Sequence, residues 1–215
     1  MNSDTSLLLI DKPAGITSHD VVDAIRKKLR TRHVGHGGTL DPFATGLLLI
    51  GVNSGTKKLH DIVGLDKTYE ATAKLGATSD TYDLTGTIIA HPASHVPRQD
   101  EIEFELKNFR GTIEQKAPAY SAKKVGGQKL YELARRGKDV ENLRPIKKVD
   151  ITEFTILSYE YPILKFKVTC SSGTYIRSLA HDLGERLGCG AYLTELRRTR
   201  IGEYKIEDAK KLEEL

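Results

Sequence analysis

Cysteine is scarce in this sequence: the chain has only Cys170 and Cys189, and neither belongs to a C-x-x-C pair. Two isolated cysteines cannot form a disulfide framework, and they lack the spacing of a structural zinc site. Long apolar runs are also missing, because no stretch reaches the about 18 residues that a membrane-spanning helix needs. The N-terminal residues carry Asp4 and show no basic segment or cleavage site typical of a secretory signal. We therefore expect buried thiols, a cytoplasmic location and no membrane partner.

Motifs for nucleotide and metal chemistry are missing as well. The sequence has neither the G-x-x-x-x-G-K-[ST] loop of nucleotide hydrolases nor a strand followed by G-x-G-x-x-G. His33 and His36 lie three residues apart, but the sequence places no third ligand beside them, and zinc sites need three or four. The run 80–86 lacks the alternating ligands and the final Glu of a calcium loop. These patterns predict no metal site.

The composition is that of a folded globular chain. Of 215 residues, 39% are hydrophobic and 29% are charged, and 7 Pro and 19 Gly are spread along the sequence. Such a composition fits neither a disordered chain nor a collagen-like repeat. Strand-like and helix-like segments mingle without strict βαβ alternation. We therefore predict an α+β fold, with a single domain built around a mostly antiparallel sheet.

Hydrophobic periodicity places the main elements. The clearest strand signal lies in residues 148–170, towards whose end every second residue is apolar. Thr17 or Ser18 can cap a helix that runs to Arg30. Further strands are predicted at residues 6–10, 47–52, 69–75, 87–90 and 109–115. Further helices are predicted at residues 57–63, 128–136, 175–187 and 191–198.

Positive charge is unevenly distributed although the net charge is only +4. Residues 123–148, which we call the basic segment, contain nine Lys or Arg and three acidic residues. Smaller basic clusters occupy residues 26–32 and 197–200. A polarised surface of this kind suits a polyanion such as nucleic acid. The alternative is a solvated face laced with salt bridges, but three clusters together favour nucleic acid.

The densest local pattern is the glycine-rich run 35–46, which contains Asp41. Glycines allow backbone angles barred to other residues and let a ligand approach the main chain, so such a loop can present a carboxylate. Asp is also a favoured turn residue. From the residues alone, Asp41 is therefore either a reacting group or the cap of a turn.

Arg177 lies near the predicted start of the helix 175–187. A cation is disfavoured at the positive end of a helix dipole, so its place there suggests that it answers an anion. That anion can be a carboxylate of the protein or a phosphate of a ligand, and an exposed Arg with no fixed partner is the alternative. Tyr69, taken alone, is an ordinary strand residue.

Several motifs occur in an order known from one family. They are Asp11-Lys12-Pro13, the glycine-rich run 35–46, Lys67-Thr68-Tyr69, residues 117–122 with 127–132, and residues 173–177. In this order they resemble the bacterial tRNA pseudouridine synthase B (TruB) family over nearly the whole chain. The resemblance implies the pseudouridine synthase fold, a mixed, mostly antiparallel sheet with flanking helices and a central RNA-binding cleft. It also implies an isomerase that converts the uridine at position 55 of the tRNA T-loop to pseudouridine and needs no cofactor.

The resemblance also implies three catalytic residues. Asp41 matches the family's catalytic aspartate, Tyr69 the tyrosine that stacks on the target base, and Arg177 the arginine that pairs with the aspartate. At this point the aspartate can attack C1′, add to C6 of the base or abstract a proton from the sugar. Tyr69 can be a stacking platform, a general base or both.

Substrate contacts are implied for five further residues. His36 resembles the histidine that holds open the gap left by the flipped nucleotide, Leu196 an apolar wall of the base pocket, and Asp83 a polar contact. Tyr175 and Lys12 lie in matching motifs and are taken as substrate-binding residues. An inserted basic element at about 117–148 corresponds to a mobile part that grips the T-stem and loop.

The family usually continues into a small C-terminal RNA-contacting domain, and we expect that domain to be absent here. We also expect a monomer whose partner is tRNA. A second hypothesis is an RNA-binding or tRNA-folding module whose catalysis is dispensable, because gripping the T-loop is itself a physical activity. A weaker third hypothesis is a nucleotide-binding enzyme that uses the glycine loop.

Overall fold

The computed structural model describes residues 6–91 and 95–214. The strands are β1 (Ser6–Lys12), β2 (Val34–His36), β3 (Thr45–Val52), β4 (Lys67–Leu75), β5 (Ala77–Ser79), β6 (Ile88–Ala90), β7 (Gly111–Lys116), β8 (Lys124–Val125), β9 (Gln128–Lys129), β10 (Ile146–Glu160), β11 (Ile163–Cys170), β12 (Ala191–Ile201), β13 (Tyr204–Lys205) and β14 (Lys210–Lys211). The α-helices are α1 (Ser18–Leu29), α2 (Leu59–Val63), α3 (Gln99–Asn108), α4 (Leu130–Arg135) and α5 (Ile176–Arg186). Short 3₁₀ helices occupy Asn53–Lys58, Glu141–Leu143, Ile206–Asp208 and Leu212–Glu214.

The chain divides into two compact units. The first contains the chain up to Glu70 together with the part from Glu195 onward, and the second is Ala71–Thr194. Strands β4 and β12 cross this division, so each contributes residues to both units. The prediction of one catalytic domain with an inserted basic element and no C-terminal domain stays a prediction.

In the first unit the strand order is β14-β1-β3-β12. Strand β1 pairs antiparallel with β3, with Ile10 opposite Leu48, and β12 pairs parallel with β3, with Arg198 opposite Gly46. Apolar side chains on both faces of β3 are fully buried, which explains why that strand reads as a continuous apolar run. The sheet is therefore mixed, with both parallel and antiparallel pairs.

Helix α1 covers one face of this sheet and begins as its sequence predicts. The Thr17 hydroxyl accepts a hydrogen bond from the backbone N–H of Asp20, and the Asp20 carboxylate accepts one from the Thr17 backbone N–H. This reciprocal capping box satisfies two of the donors that a helix start leaves open. Val21, Val22 and Ile25 then pack against β1 and β3, and the predicted helix is confirmed.

In the second unit the strand order is β4-β11-β10-β7. Strand β10 pairs antiparallel with both β11 and β7. The alternating residues of β11 point into the core as predicted, and Phe166 there makes edge-to-face contacts with Phe154, which in turn meets Phe109. This antiparallel arrangement confirms the predicted α+β class.

One predicted helix is wrong, because residues 191–198 belong to strand β12. Leu193 and Leu196 are spaced as on a helix, but the segment lies between β3 and β4 in the strand order, and pairing with neighbours outweighs a local periodicity. In the first unit the Thr199 hydroxyl donates to the Thr68 carbonyl, and in the second the Thr194 hydroxyl donates to the Thr72 carbonyl.

Other boundaries differ in smaller ways. The predicted helix 57–63 is a 3₁₀ turn followed by the short α2. Helix α3 was not predicted, and Phe109, placed at the start of a strand, is instead the C-terminal cap of that helix. Strand β7 therefore begins at Gly111.

Two expectations about the chain's environment are addressed in part. Cys170 and Cys189 are free and buried, as predicted. Among the described residues, no helix is long and apolar enough to cross a membrane. Residues 1–5, on which the expectation of no leader partly rests, lie outside the described residues.

Candidate active site

Asp41 lies on the loop between β2 and β3, in the first unit. The backbone N–H of Ala44 donates to the Asp41 carbonyl at 3.1 Å, which closes a tight turn with Pro42 at its second position. Gly38 and Gly46 flank this turn with φ angles of +128° and +102°, which other residues rarely adopt. Asp41 is half-buried, and its role as the reacting group stays a prediction.

Ser18, the first residue of α1, holds the chain directly before Asp41. The Ser18 hydroxyl accepts a hydrogen bond from the Leu40 N–H at 2.8 Å and lies 3.2 Å from the Leu40 carbonyl. The Gly37 N–H donates to the Leu49 carbonyl at 2.8 Å. The backbone on the N-terminal side of Asp41 is therefore fixed to both a helix and a strand.

Lys12 holds the other side of the turn. Its ammonium is fully buried and donates to the carbonyls of Pro13 and Ile16, each at 2.8 Å, and of Pro42 at 3.3 Å. Burial, followed by the charge of Arg198, lowers the pKa of Lys12 to about 8, while the charges of Asp41 and Asp20 oppose that shift. The predicted contact of Lys12 with substrate stays a prediction.

Arg198 on β12 is a further residue of this loop that sequence reasoning missed. Its guanidinium donates to the carbonyls of Leu47 at 2.8 Å, Gly38 at 3.1 Å and Thr39 at 3.3 Å. Strand β12 also runs so close that a Cβ added at Gly46 would lie 2.3 Å from the Arg198 carbonyl oxygen. Because the basic cluster 197–200 was read as surface, no local signal marked this side chain as buried.

Tyr69 and Leu196, the two predicted contacts of the base, belong to the first unit and lie on the neighbouring strands β4 and β12. Tyr69 on β4 is 7% exposed and Leu196 on β12 is 6% exposed. Leu196 therefore keeps its predicted apolar character on a strand and not on the helix expected for it. Their contact with a flipped base stays a prediction.

His36 on β2 is held as a neutral ring. Its Nδ1 accepts a hydrogen bond from the Gly38 N–H at 3.4 Å, so the ring proton lies on Nε2. Burial, together with the nearby charges of Arg198 and His19, lowers the pKa of His36. At neutral pH this imidazole can donate one hydrogen bond from Nε2 without adding charge.

Arg177 and Asp83 form a buried ion pair within the second unit. The Arg177 Nη1 lies 3.4 Å from the Asp83 Oδ2, and each residue is 4% exposed. The same guanidinium donates to the carbonyls of Thr81 at 2.7 Å and Tyr120 at 3.1 Å. Arg177 therefore pairs with a carboxylate of the protein, which is one of the alternatives that the sequence left open.

The Asp83 carboxylate also organises its own turn. Its Oδ1 accepts hydrogen bonds from the Thr81 hydroxyl at 2.8 Å, the Thr85 N–H at 2.9 Å and the Thr85 hydroxyl at 2.5 Å. The pairing of Arg177 with Asp41 joins residues of the two units and stays a prediction. The pair with Asp83 was missed, because the two residues are far apart in sequence.

Tyr175 is the N-cap of α5 and is fixed by an amide side chain. Gln115 Oε1 accepts from the Tyr175 N–H at 2.7 Å, and Gln115 Nε2 donates to the Tyr175 carbonyl at 3.0 Å. A cavity of about 290 Å³ adjoins these two residues and is also lined by Lys123, Lys124 and Lys147. The substrate-binding role of Tyr175 stays a prediction.

The basic segment folds around a small core of its own. Leu130, Leu133 and Val140 are buried together, while most of its Lys and Arg side chains are exposed. Arg144 ties the segment to the Asp83 turn, because its guanidinium lies 5.6 Å from the centre of the Tyr82 ring. The exposed basic side chains therefore project from a segment that has its own packed core.

Metal ligands do not converge in the part of the chain that the structure describes. Among residues 6–91 and 95–214, no group of three or more His, Cys, Asp or Glu side chains is placed to hold a metal ion. Two buried cations, Lys12 and Arg198, donate hydrogen bonds to the loop that carries the Asp41 carboxylate. Such an arrangement suits acid-base or nucleophilic chemistry on an organic substrate.

Comparison with known proteins identifies the family. A family model described as TruB family pseudouridylate synthase (N terminal domain) matches residues 26–176, and one described as tRNA pseudouridylate synthase B C-terminal domain matches residues 177–215. The tRNA pseudouridine synthase B of Syntrophobacter fumaroxidans is 45% identical over 98% of this chain and 68% of that protein. That of Chlamydia pneumoniae is 45% identical over 94% of this chain and 85% of that protein.

Among solved structures, a chain of a Cbf5-Nop10-Gar1 complex superimposes with a TM-score of 0.76 and 33% identity, covering 97% of this chain. This chain spans about half of that one, since 53% of it is covered. The similarity in sequence and in structure agrees with the predicted pseudouridine synthase fold, an α+β arrangement with a mixed sheet. The chain therefore belongs to the TruB family of pseudouridylate synthases, which are isomerases.

Proposed function

We propose that this protein isomerises the uridine at position 55 in the T-loop of tRNA to pseudouridine, with Asp41 as the reacting carboxylate. Membership of the TruB family supports the reaction and its substrate. The observation that carries the role of Asp41 is its place on a turn whose backbone is held on both sides by Ser18 and Lys12. A reacting group held in place before substrate arrives lowers the entropy lost in reaching the transition state.

The reaction is an exchange of one bond for another at C1′ of the ribose. The bond from C1′ to N1 breaks, the uracil rotates, and a bond from C1′ to C5 forms. C5 gives up its hydrogen as a proton and N1 gains a proton, so that atoms balance and no redox change occurs. The protein must therefore supply a route for one proton, and no cofactor is needed for this balance.

Access to the base requires base flipping, since position 55 lies inside a folded loop. Unstacking a base costs a few kcal/mol. We propose that Tyr69 and Leu196 offset this cost by packing on the extruded ring. Their low exposure on adjacent strands supports such apolar surfaces.

Arg177 is proposed as the cation that pairs with the reacting aspartate, as the family resemblance implies. Its ion pair with Asp83 and its bonds to two carbonyls support a guanidinium of fixed orientation. His36, Asp83, Tyr175 and Lys12 are proposed as further residues of the RNA site. The exposed side chains of the basic segment are proposed to contact the phosphates of the T-stem and loop.

We further propose that the protein acts as a monomer in the cytoplasm. Two free, buried cysteines support a reducing compartment. Size-exclusion chromatography with light scattering measures the mass of the particle directly, and a mass of about twice that of one chain contradicts the monomer.

The test of the main proposal is incubation of the purified full chain with a T-arm RNA hairpin, followed by chemical mapping of pseudouridine. We expect product at the position equivalent to 55 and none with the Asp41→Asn variant, which still binds the RNA. Product formed by that variant at the wild-type rate shows that Asp41 is not the reacting group. Absence of product with the wild-type chain contradicts the proposed function itself.

The basic segment favours a second activity, RNA binding that does not depend on catalysis. Reversing the charge of Lys147 and Lys148 should weaken binding and reduce the salt dependence of the affinity by about 1 to 2 in the log-log slope. Charge reversal at Lys57 and Lys58, which are exposed elsewhere, is the matched control. An unchanged slope in the Lys147 and Lys148 variant places the RNA surface elsewhere.

A further inference from the structure

Arg198 binds the chain on both sides of Asp41. Gly38 and Thr39 precede Asp41 in the chain and Leu47 follows it, and carbonyls of all three accept hydrogen bonds from the one guanidinium. The planar guanidinium presents five donors in a fixed fork, so it can reach acceptors on separate segments at once. Loss of this side chain would release the chain on both sides of Asp41 at once.

The chain around Arg198 has little freedom to move. Its side chain is 1% exposed, and its strand pairs with β3 so that Arg198 lies opposite Gly46. The absent side chain at Gly46 allows the two backbones to approach this closely. The position of the guanidinium is therefore fixed by the sheet and not by the loop that it holds.

Stability of the fold alone explains this residue poorly. In the part of the chain that the structure describes, no carboxylate lies within 4 Å of the Arg198 nitrogens, and its bonds go to carbonyl groups. Burial of an ion without an opposite charge is costly, and apolar residues of similar volume often serve stability better. A buried guanidinium whose hydrogen bonds go to the chain around Asp41 therefore points to a role in fixing this loop.

Lys12 links the two charges electrostatically. Arg198 and Asp41 act on the ammonium of Lys12 in opposite senses, and Asp20 adds to the effect of Asp41. Lys12 in turn donates to the Pro42 carbonyl, directly after Asp41. Arg198 thus bears on Asp41 both through the backbone and through the charge of Lys12.

We propose that Arg198 is a positioning residue for the isomerisation. It fixes the loop that carries Asp41 by binding the chain on both sides of this residue. This inference rests on the proposed function for its kinetic consequences. It assigns Arg198 no contact with the substrate or the reacting atoms. Its effect must therefore appear in turnover and in loop mobility, and not in RNA affinity.

The test compares Arg198→Lys and Arg198→Met with the wild-type full chain on the T-arm hairpin. We expect kcat to fall about tenfold in Arg198→Lys, which keeps the charge but not the fork, and about a hundredfold in Arg198→Met. The dissociation constant for RNA should stay within about twofold of wild type. Amide exchange at Leu40 and Ala44 should be at least about tenfold faster in Arg198→Met.

The pH profile separates the charge from the shape of the side chain. Neutral Lys12 has only two N–H donors for three carbonyls, so kcat should fall as pH rises through about 8. Arg198→Met removes a cation that disfavours protonated Lys12, so this alkaline fall should move to higher pH. Arg198→Lys keeps a positive charge and should leave the fall where it is in the wild type.

Lys205→Met is the control, because Lys205 lies on β13, which pairs with β12, and its side chain is exposed. We expect wild-type kcat and exchange from it. Equal losses of kcat and RNA affinity in the Arg198 variants would make Arg198 a substrate contact and overturn the inference. Unchanged kcat and exchange in both variants would overturn it too.

Two further results keep the test decisive. If Arg198→Met does not fold, Arg198→Lys decides by the same kinetic and exchange measurements. If the wild-type chain makes no pseudouridine, the proposed function fails, and the exchange of Leu40 and Ala44 still shows whether Arg198 holds the loop. Unchanged exchange then overturns the inference by itself.

Discussion

Asp41 and Asp83 lie on turns that are held in opposite ways. At Asp41 the backbone of the loop is bound by side chains from elsewhere, namely Ser18, Lys12 and Arg198. At Asp83 the carboxylate itself accepts the hydrogen bonds that order the turn. Asp41 is half-exposed whereas Asp83 is buried. The first arrangement presents a carboxylate for chemistry, and the second uses a carboxylate to fix Arg177.

The largest expected difference between the two aspartates is in turnover. Asp41→Asn should lower the rate of pseudouridine formation by at least about 10³-fold, because the substitution removes the reacting carboxylate. Asp83→Asn keeps the shape of the turn and should lower the rate by about a hundredfold at most. Single-turnover assays with T-arm RNA measure both. Similar rates for the two variants would remove the distinction drawn between the turns.

Stability should reverse the order of the two residues. Asp83→Ala leaves the buried guanidinium of Arg177 without this carboxylate and should lower the free energy of unfolding by about 3 kcal/mol. Asp41→Ala changes a half-exposed side chain and should lower it by less than about 1 kcal/mol. Urea unfolding of both variants provides the values. A larger loss for Asp41→Ala would show that its carboxylate also supports the fold.

The buried ammonium at the Asp41 loop predicts an unusual pH dependence of stability. The pKa of Lys12 is lowered from 10.5 to about 8 in the folded chain, so between these values the unfolded chain holds a proton that the folded chain has released. Stability from this group must therefore rise with pH across that window, by at most about 1.4 kcal/mol per pH unit.

Lys12→Met has no group that titrates at this position. The stability of the wild type minus that of the variant should therefore increase from pH 8 to pH 10 in urea unfolding experiments. A difference that stays constant across this range contradicts the lowered pKa of the buried Lys12. Among the described residues, the Asp83 carboxylate is bound by Thr81, Thr85 and Arg177 and by no lysine, so Thr85→Val serves as the control for the pH dependence.

The last comparison concerns single hydroxyl groups in the two turns. Thr85→Val removes one hydroxyl donor to the Asp83 Oδ1 and leaves the Thr81 hydroxyl and the Thr85 N–H in place. A hydrogen bond to a charged group contributes about 1.5 to 3 kcal/mol, and the remaining donors should limit the loss to the lower end. Ser18→Ala, which removes the hydroxyl bound to the Leu40 N–H, provides the matching measurement at the Asp41 loop.

Local signals in the sequence predicted local structure well. The capping box at Thr17 and Asp20 involves residues three apart, and α1 begins there as expected. The alternation in β11 likewise reports which side chains face the core. Each feature depends on neighbours in the chain, which is why the sequence alone could reveal it.

Non-local structure was predicted less well. Strand β12 was expected to be a helix. Its pairing with β3 and β4 depends on segments more than a hundred residues away, which a local pattern does not report. Helix α3 was missed although Ile102 and Leu106, its two buried residues, have helical spacing. That spacing was the available signal.

The candidate site divides in the same way. The glycine pattern around Asp41 is visible in the sequence, and so are the motifs that carry the family resemblance. The bonds from Arg198 to the loop and the ion pair of Arg177 with Asp83 join residues distant in sequence. No spacing rule marks such contacts, so only the folded chain reveals them.

Gly46 makes the Asp41 loop intolerant of mutational drift. Its positive φ disfavours any side chain, and a Cβ would collide with the backbone of Arg198. Relief of that collision would force β12 away from β3 and carry the guanidinium off the loop carbonyls. A library of all amino acids at position 46, selected for pseudouridine formation, should therefore return glycine alone.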